Sequence, residues 1–144
     1  MKALRNGGLF YLQTMAKVIW IPGSIGELLD KVSILNIKRV MITDTEKLAM
    51  VKDELQELMD VARPFLENKE VEEPYDLLLM VNKNLWDVED VLRKMEADKQ
   101  FDEEFIAKAR SVYFLNDRRF ELKSKINTVM GSRINEVKQY VNYQ

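Results

Sequence analysis

The side chains best suited to chemistry lie on the last of four helices that hydrophobic periodicity predicts. The apolar seam of this helix, a stripe at alternating three- and four-residue steps, begins at Phe105 and ends at Met130. Its central layers carry Asn116, Arg119 and Lys123 instead. Burying unpaired charges costs several kcal/mol per ion, so these layers need partners. Guanidinium and ammonium groups bind carboxylate or phosphate, and the seam therefore predicts a polar pocket between helices for a small anionic ligand.

Two structural explanations compete with this pocket. In the first, interhelix ion pairs fix the register of the helices, with acidic partners such as Glu27 and Asp30 from helix 1. In the second, a local twist turns the charges to solvent, because Leu115 and Leu122 supply an alternative apolar stripe. The sequence does not decide between the ligand pocket, the interhelix ion pairs and the solvent-exposed charges. The polar residues near the seam and on the facing helices form one candidate ligand-binding set: Glu27, Lys31, Glu89, Asp90, Arg110, Tyr113, Asn116, Asp117, Arg119 and Lys123.

The residue types that are missing narrow the chemistry. The chain has no cysteine and no histidine, which removes disulfides, thiolate chemistry, the usual general base near neutral pH and the commonest transition-metal ligand. The spacing Glu27-x-x-Asp30 distantly resembles that of all-α nucleotide pyrophosphohydrolases, but no clean second motif follows. We expect no metal and no cofactor, and the catalytic residues, if the protein is an enzyme, stay unknown.

Local signals predict where the helices that position these residues begin and end. Capping boxes place the starts of helices 1 and 2 at Ser24 and Thr43, each with a Glu three residues later. Pro64 is expected to stop or bend helix 2. Residues 67–73 are predicted to be an acidic linker, and Pro74 suits the first turn of helix 3.

The turn between helices 3 and 4 is predicted at residues 97–100. Asp102 is a good N-cap for helix 4, and Gly131 is a good residue for its C-terminal end. Helices 3 and 4 are therefore expected to form a long antiparallel hairpin.

These elements predict a mainly all-α fold, an antiparallel bundle of about four long helices. Val18–Ile21 is a β-branched and aromatic run before Pro22-Gly23, which favours a short strand. Its best partner is residues 134–141, which are either the second strand of a two-stranded β ribbon or a short helix. Residues 1–15 are expected to be a loosely attached extension, and residues 16–144 a single helical domain.

Composition and charge exclude several classes of protein. The net charge is −2 with interspersed signs, which is unlike the basic surface of a nucleic-acid-binding protein. No apolar run approaches the roughly 20 residues that span a bilayer, and the apolar stretch near the start is too short for a signal peptide. We therefore expect a cytoplasmic protein without nucleic-acid or membrane partners. Exposed parts of the apolar seams predict a homo-oligomer.

Several segments, taken in order, resemble a family of small uncharacterised bacterial and phage proteins that are sometimes labelled lipopolysaccharide-biosynthesis associated. The most specific are the Trp-acidic segment 84–90 (NLWDVED) and the Ala-Arg-Ser-Val-Tyr run at 109–113. The resemblance also includes residues 22–31, the rest of 101–127, Gly131-Ser132 and residues 136–140. The resemblance implies no established activity. The lipopolysaccharide label describes an association with a biosynthetic process and does not name a reaction. The candidate residues above fall within these matched segments.

Two functions fit these observations. The first is an accessory or interaction protein that self-associates. The alternative is a small-molecule binder or enzyme acting on an anionic metabolite (a sugar phosphate, nucleotide or dicarboxylate), with Arg110, Arg119 and Lys123 converging in one cavity. Helix 4 is similar in composition and period to helical chorismate mutases, which bind a dicarboxylate through Arg and Lys.

Overall fold

The computed structural model describes residues 18–143, and in that range it contains four helices and no strand. The helices are α1 (Ile25–Met41), α2 (Thr45–Leu66), α3 (Lys69–Ala97) and α4 (Glu103–Met130). The prediction of an all-α bundle of four long helices is confirmed. The predicted extension at residues 1–15 lies outside the described residues.

The predicted β ribbon is wrong. Val18–Ile21 and residues 134–141 form neither strand nor helix. An isolated two-stranded ribbon is marginally stable in water. Residues 132–143 instead make their contacts with α1 and α4, as described below.

The helix starts follow the capping side chains, with two differences from the expectation. The Ser24 hydroxyl accepts a hydrogen bond from the Glu27 amide at 3.0 Å, as predicted. The Glu27 side chain does not complete the capping box, because it binds Lys123. Helix α2 is capped by Asp44 rather than Thr43, and the Asp44 carboxylate accepts from the Lys47 amide at 2.9 Å. An ionised cap accepts this bond more strongly than a hydroxyl does.

The prediction of an acidic linker at residues 67–73 is also wrong, because α3 begins at Lys69. Asn68 caps α3 by accepting from the Glu70 amide at 2.8 Å, and acidic residues suit the first turn beside the positive end of the helix dipole. Pro74 consequently lies inside α3, and Pro64 lies inside α2, which continues to Leu66. Helices α2 and α3 are separated by Glu67 and Asn68 alone.

One hydrophobic core joins the four helices. Helices α3 and α4 form the expected antiparallel hairpin, α1 packs against both, and α2 packs mainly on α1 and little on α3. Fully buried side chains come from α1, α3 and α4, for example Leu29, Leu78 and Ile126. Leu122 of α4, at 2% exposure, also faces this core. The core places the polar residues of α4 against α1, where the candidate site lies.

Candidate functional site

An ion pair joins the first and last helices at the middle of their interface. The Asp30 carboxylate is 2% exposed and binds Arg119 through two parallel hydrogen bonds, Nε to Oδ1 at 2.8 Å and Nη2 to Oδ2 at 2.6 Å. Such a bidentate pair is the strongest geometry for these groups. The hydrogen bond to Asp30 raises the pKa of Arg119 above its ordinary value. Arg119 therefore stays charged at this partly buried position.

Helix α3 completes the coordination of Asp30. The Asn82 amide nitrogen donates to Asp30 Oδ1 at 2.9 Å and to Ser33 Oγ at 2.7 Å, and Ser33 in turn donates to the Asp30 carbonyl at 2.7 Å. Asn82 and Ser33 are both buried. The buried carboxylate is thus compensated by Asn82 of α3 and Arg119 of α4, while Ser33 of α1 joins Asn82 to the Asp30 backbone. A buried charge requires such partners.

Lys123 lies one helical turn beyond Arg119 and binds two carboxylates. Its side chain is 10% exposed, and Nζ is 2.8 Å from Glu27 Oε2 and 2.9 Å from Glu136 Oε2. Burial lowers the pKa of Lys123, but its hydrogen bonds to Glu27 and Glu136 outweigh burial and the pKa is raised. The hydrogen bond from Lys123 lowers the pKa of Glu136. We call Asp30, Arg119, Lys123, Glu27 and Glu136 the polar centre.

The start of α1 approaches the backbone of α4 closely at Gly26. The Gly26 amide donates to Asn127 Oδ1 at 2.6 Å, and a Cβ atom on Gly26 would overlap the Lys123 carbonyl oxygen. The Ile25 amide donates to Ser132 Oγ at 3.3 Å. Side chains of α4 and of the residues after it therefore satisfy two amides that the first turn of a helix leaves without intrahelical partners.

Residues 132–143, which we call the strap, run back along α4. Gly131 adopts the left-handed conformation that ends α4 (φ 66°), and after it Glu136 reaches Lys123. The Lys138 ammonium then lies 5.1 Å from the centre of the Phe120 ring. Finally the Tyr143 hydroxyl donates to Asp117 Oδ2. The partners on α4 occur in reverse order, so the strap is antiparallel to the helix.

The far end of the strap sits in a cluster of aromatic rings. The Tyr143 ring lies edge-on to Tyr113 and Phe114, with centroid separations of 5.1 and 5.2 Å. The hydrogen bond to Asp117 raises the pKa of Tyr143 to about 12. Arg110 Nε donates to the Tyr113 hydroxyl at 3.2 Å at the edge of this cluster.

The structure distributes the sequence-predicted residues over several places. Glu27, Arg119 and Lys123 meet in the polar centre, and Arg110, Tyr113 and Asp117 lie at the far end of the strap. The remaining members lie elsewhere: Lys31 is 3.6 Å from Glu54 on α2, Glu89 is 3.7 Å from Arg93 on the surface of α3, Asp90 is exposed and Asn116 is half-buried. Arg119 and Lys123 make interhelix ion pairs, as the first structural explanation expects. A ligand-binding role for the set stays a prediction.

Four contributors were missed by the sequence analysis: Ser33, Asn82, Asn127 and Glu136. Asn82 directly follows the seam residue Val81, and a search for polar residues beside the apolar seams would have found it. Glu136 had no comparable signal, because its position depends on the path of the strap.

Neither a metal-binding cluster nor a membrane-spanning helix is found in the described part of the chain. Among residues 18–143 no group of three or more acidic, His or Cys side chains is arranged to hold a metal ion. None of the four helices combines the length and the apolar character needed to cross a bilayer.

Comparisons with known proteins give a family and no activity. No curated protein matches the chain, and no solved structure matches it. The chain matches the model of a family of unknown function over residues 19–143. This match agrees with the resemblance to uncharacterised proteins and does not test the bacterial, phage or polysaccharide labels. The chain belongs to that family of unknown function, DUF6165.

Proposed function

We propose that the protein is a non-enzymatic helical interaction protein that self-associates through the apolar segment Val18–Ile21. The observation that carries the proposal is the exposure of this segment: Val18 is 55% exposed, Ile19 79%, Trp20 82% and Ile21 78%. Isolated apolar side chains on a surface are ordinary, but four large ones in succession form a patch of the kind that marks an interface. Aromatic residues such as Trp are also enriched where interfaces hold most of their binding energy.

The state of the polar centre supports a structural rather than a catalytic role for its residues. Both of its cations are already bound to carboxylates. An added anion would have to displace one of these carboxylates before it could bind. We assign to the polar centre the task of fixing the register of α1, α3 and α4, a known use of buried ionic groups.

Substitution of Trp20 tests the self-association. We expect the native chain to sediment as an oligomer and Trp20→Ser to shift it towards the monomer, because the change removes the largest side chain of the segment. Trp20 is exposed, so the helical circular-dichroism signal should stay unchanged. Sedimentation velocity over a range of concentrations measures the effect.

Met80→Ser is the matched control, since Met80 is an exposed apolar residue of α3 (61%) far along the chain from the segment. It should associate as the native chain does. A native chain that is monomeric at every concentration, or equal association of Trp20→Ser and the native chain, would overturn the proposal.

The second candidate is a binder or enzyme for an anionic metabolite at Lys123. It is favoured by the Glu136 carboxylate, an anion already seated on Lys123 and supplied by a segment without helix or strand. A ligand phosphate or carboxylate would take the place of Glu136 after the strap moves away. We also propose a cytoplasmic location, on the basis of the sequence. The link to cell-surface polysaccharide is proposed on the basis of the family resemblance.

A further inference from the structure

An open groove of about 510 Å³ lies between α1, α2 and α3, on a different face from the polar centre. Three cations line it: Arg39 near the end of α1, and Lys52 and Arg63 on α2. Among residues 18–143, no Asp or Glu belongs to its lining. The groove exists because α2 packs on α1 and contacts α3 little. Its size is within the range of sites for small organic ligands.

The inner surface of the groove is mainly apolar. Leu55, Met59 and Leu66 of α2 contribute to it, together with Tyr75 of α3. The Tyr75 hydroxyl accepts a hydrogen bond from Asn36 Nδ2 at 3.3 Å, so the hydroxyl proton is left to donate to a ligand. A phenol is protonated at neutral pH, and burial raises the pKa of Tyr75 further.

The three cations do not stabilise the fold through ion pairs. Within residues 18–143, neither Arg39, Lys52 nor Arg63 has a carboxylate within 4 Å, whereas the cations of the polar centre are all paired. A second groove, between α3 and α4, has mixed charges, with Asp87 and Lys108 in its lining. Like charges around one cavity repel one another, and an anion placed between them would remove that repulsion.

We propose that this groove binds a small organic anion with an apolar body. Arg39, Lys52 and Arg63 would hold a phosphate or carboxylate group, and the apolar part would lie on Leu55, Met59 and Leu66. Arginine suits this task because its planar fork binds both kinds of oxyanion through two hydrogen bonds. The proposal goes beyond self-association, since none of these residues belongs to Val18–Ile21.

Hexyl phosphate, which has both features, is the probe for a titration of the full chain followed by amide NMR. We expect saturable shifts at groove residues such as Gln56 and Tyr75, with a Kd on the order of 1 mM for so small a molecule. Inorganic phosphate lacks the apolar body and 1-hexanol lacks the charge, and each should bind about tenfold more weakly. Absence of saturable shifts in the groove, or equal binding of 1-hexanol, would overturn the proposal.

A charge-removing variant tests the cations directly. Arg39→Gln with Arg63→Gln should weaken hexyl phosphate binding about tenfold or more, because both lost groups make charge-assisted hydrogen bonds. Both residues are exposed, so the variant should keep its fold and amide spectrum. Arg93→Gln with Lys94→Gln on exposed α3 positions removes the same charge outside the groove and should leave binding within about twofold. Equal losses in the two variants would attribute the binding to net charge and overturn the site.

Vesicles distinguish the two sources of such a ligand. Phosphatidylcholine vesicles with and without phosphatidic acid, sedimented with the native chain and with the Arg39/Arg63 variant, show whether the groove accepts a phosphate on a lipid. Sedimentation that needs both phosphatidic acid and the arginines identifies a lipid headgroup. Binding of hexyl phosphate without such sedimentation identifies a free compound.

Discussion

At the scale of single residues, Asp30 and Arg119 form an ion pair whose two partners are buried to very different extents. Asp30 is 2% exposed, while the Arg119 side chain keeps 29% of its surface in solvent. Loss of one partner is therefore not equivalent to loss of the other. Without Arg119 the carboxylate would be left in the interior with only Asn82 as its side-chain donor.

We expect Arg119→Met to lower the free energy of unfolding by about 3–5 kcal/mol, the typical cost of leaving a buried charge without its partner. Urea unfolding measures it. Arg118→Met is the control: Arg118 binds Glu121 at 3.1 Å on the surface, where both side chains are half or more exposed. That pair should contribute less than about 1 kcal/mol. Similar losses in the two variants would show that the Asp30 pair is not buried in solution.

Arg119 and Lys123 could be identified from the sequence because charges inside an apolar seam depart from the pattern around them. Glu27 and Asp30 are likewise recognisable as acidic partners on helix 1. The choice between an open pocket and ion pairs could not be predicted, since it depends on how far α4 is rotated towards α1. A few tens of degrees of rotation decide it, and periodicity does not resolve faces so finely.

At the scale of elements, the start of α1 is fixed against α4 by the lack of a side chain at Gly26. The Gly26 amide reaches Asn127 because the two backbones come close together. Any larger residue would have to push the helices apart, and the neighbouring Lys123 would move with its backbone.

Gly26→Ala should destabilise the fold by about 1–3 kcal/mol, the usual cost of overpacking. Gly23→Ala is a matched control, because a Cβ there meets no heavy atom within 4 Å. It should cause no such loss. Thermal unfolding of both variants measures the difference, and a native melting temperature for Gly26→Ala would contradict the close approach.

The helix ends show where local signals suffice. Ser24, Asp102 and Gly131 act as predicted, because each works through its own backbone or the next turn. The predicted linker at residues 67–73 is wrong because neither Pro64 nor Pro74 ends or begins a helix, and both lie inside one. The Asn68 cap and the buried position of Pro74 outweigh that local preference.

At the scale of the whole molecule, the strap covers the side of α4 that carries Lys123 and Asp117. Its attachment to α4 includes the ion pair to Lys123, the ammonium contact of Lys138 with the Phe120 ring, and the contacts of Tyr143 with Asp117 and the aromatic cluster. Its path could not be predicted from sequence, since residues 134–141 carry no helix or strand pattern that survives in the fold. Because one of these contacts is the ion pair of Glu136 with Lys123, we expect the attachment of the strap to depend on pH.

Acid should release the middle of the strap. The pKa of Glu136 is lowered in the folded state, so its stabilising contribution is complete above the ordinary Glu value of about 4.3 and is lost as the pH falls through the lower folded value. Carbon-13 NMR of the Glu136 carboxyl should give a midpoint below the ordinary value. Lys123→Met should raise that midpoint towards the ordinary value, because it removes the largest cause of the lowered pKa.

Lys138→Met is the comparison, because the Lys138 ammonium lies 3.7 Å from Glu136 and has the weaker influence. Its midpoint should move less than that of Lys123→Met. A midpoint unaffected by Lys123→Met would contradict the attachment of the strap at this point.

The polar contacts that join α1 to α4 and to the strap link residues far apart along the chain. The bonds of Asp30 to Arg119, Gly26 to Asn127 and Ile25 to Ser132 join residues 89, 101 and 107 positions apart. Closing loops of that length costs chain entropy that local contacts do not. The α3–α4 hairpin, joined by one short turn, is therefore suited to form first as a template. We expect α1 to dock on this hairpin afterwards, so that Asp30 leaves water where Arg119 is already in place to bind it.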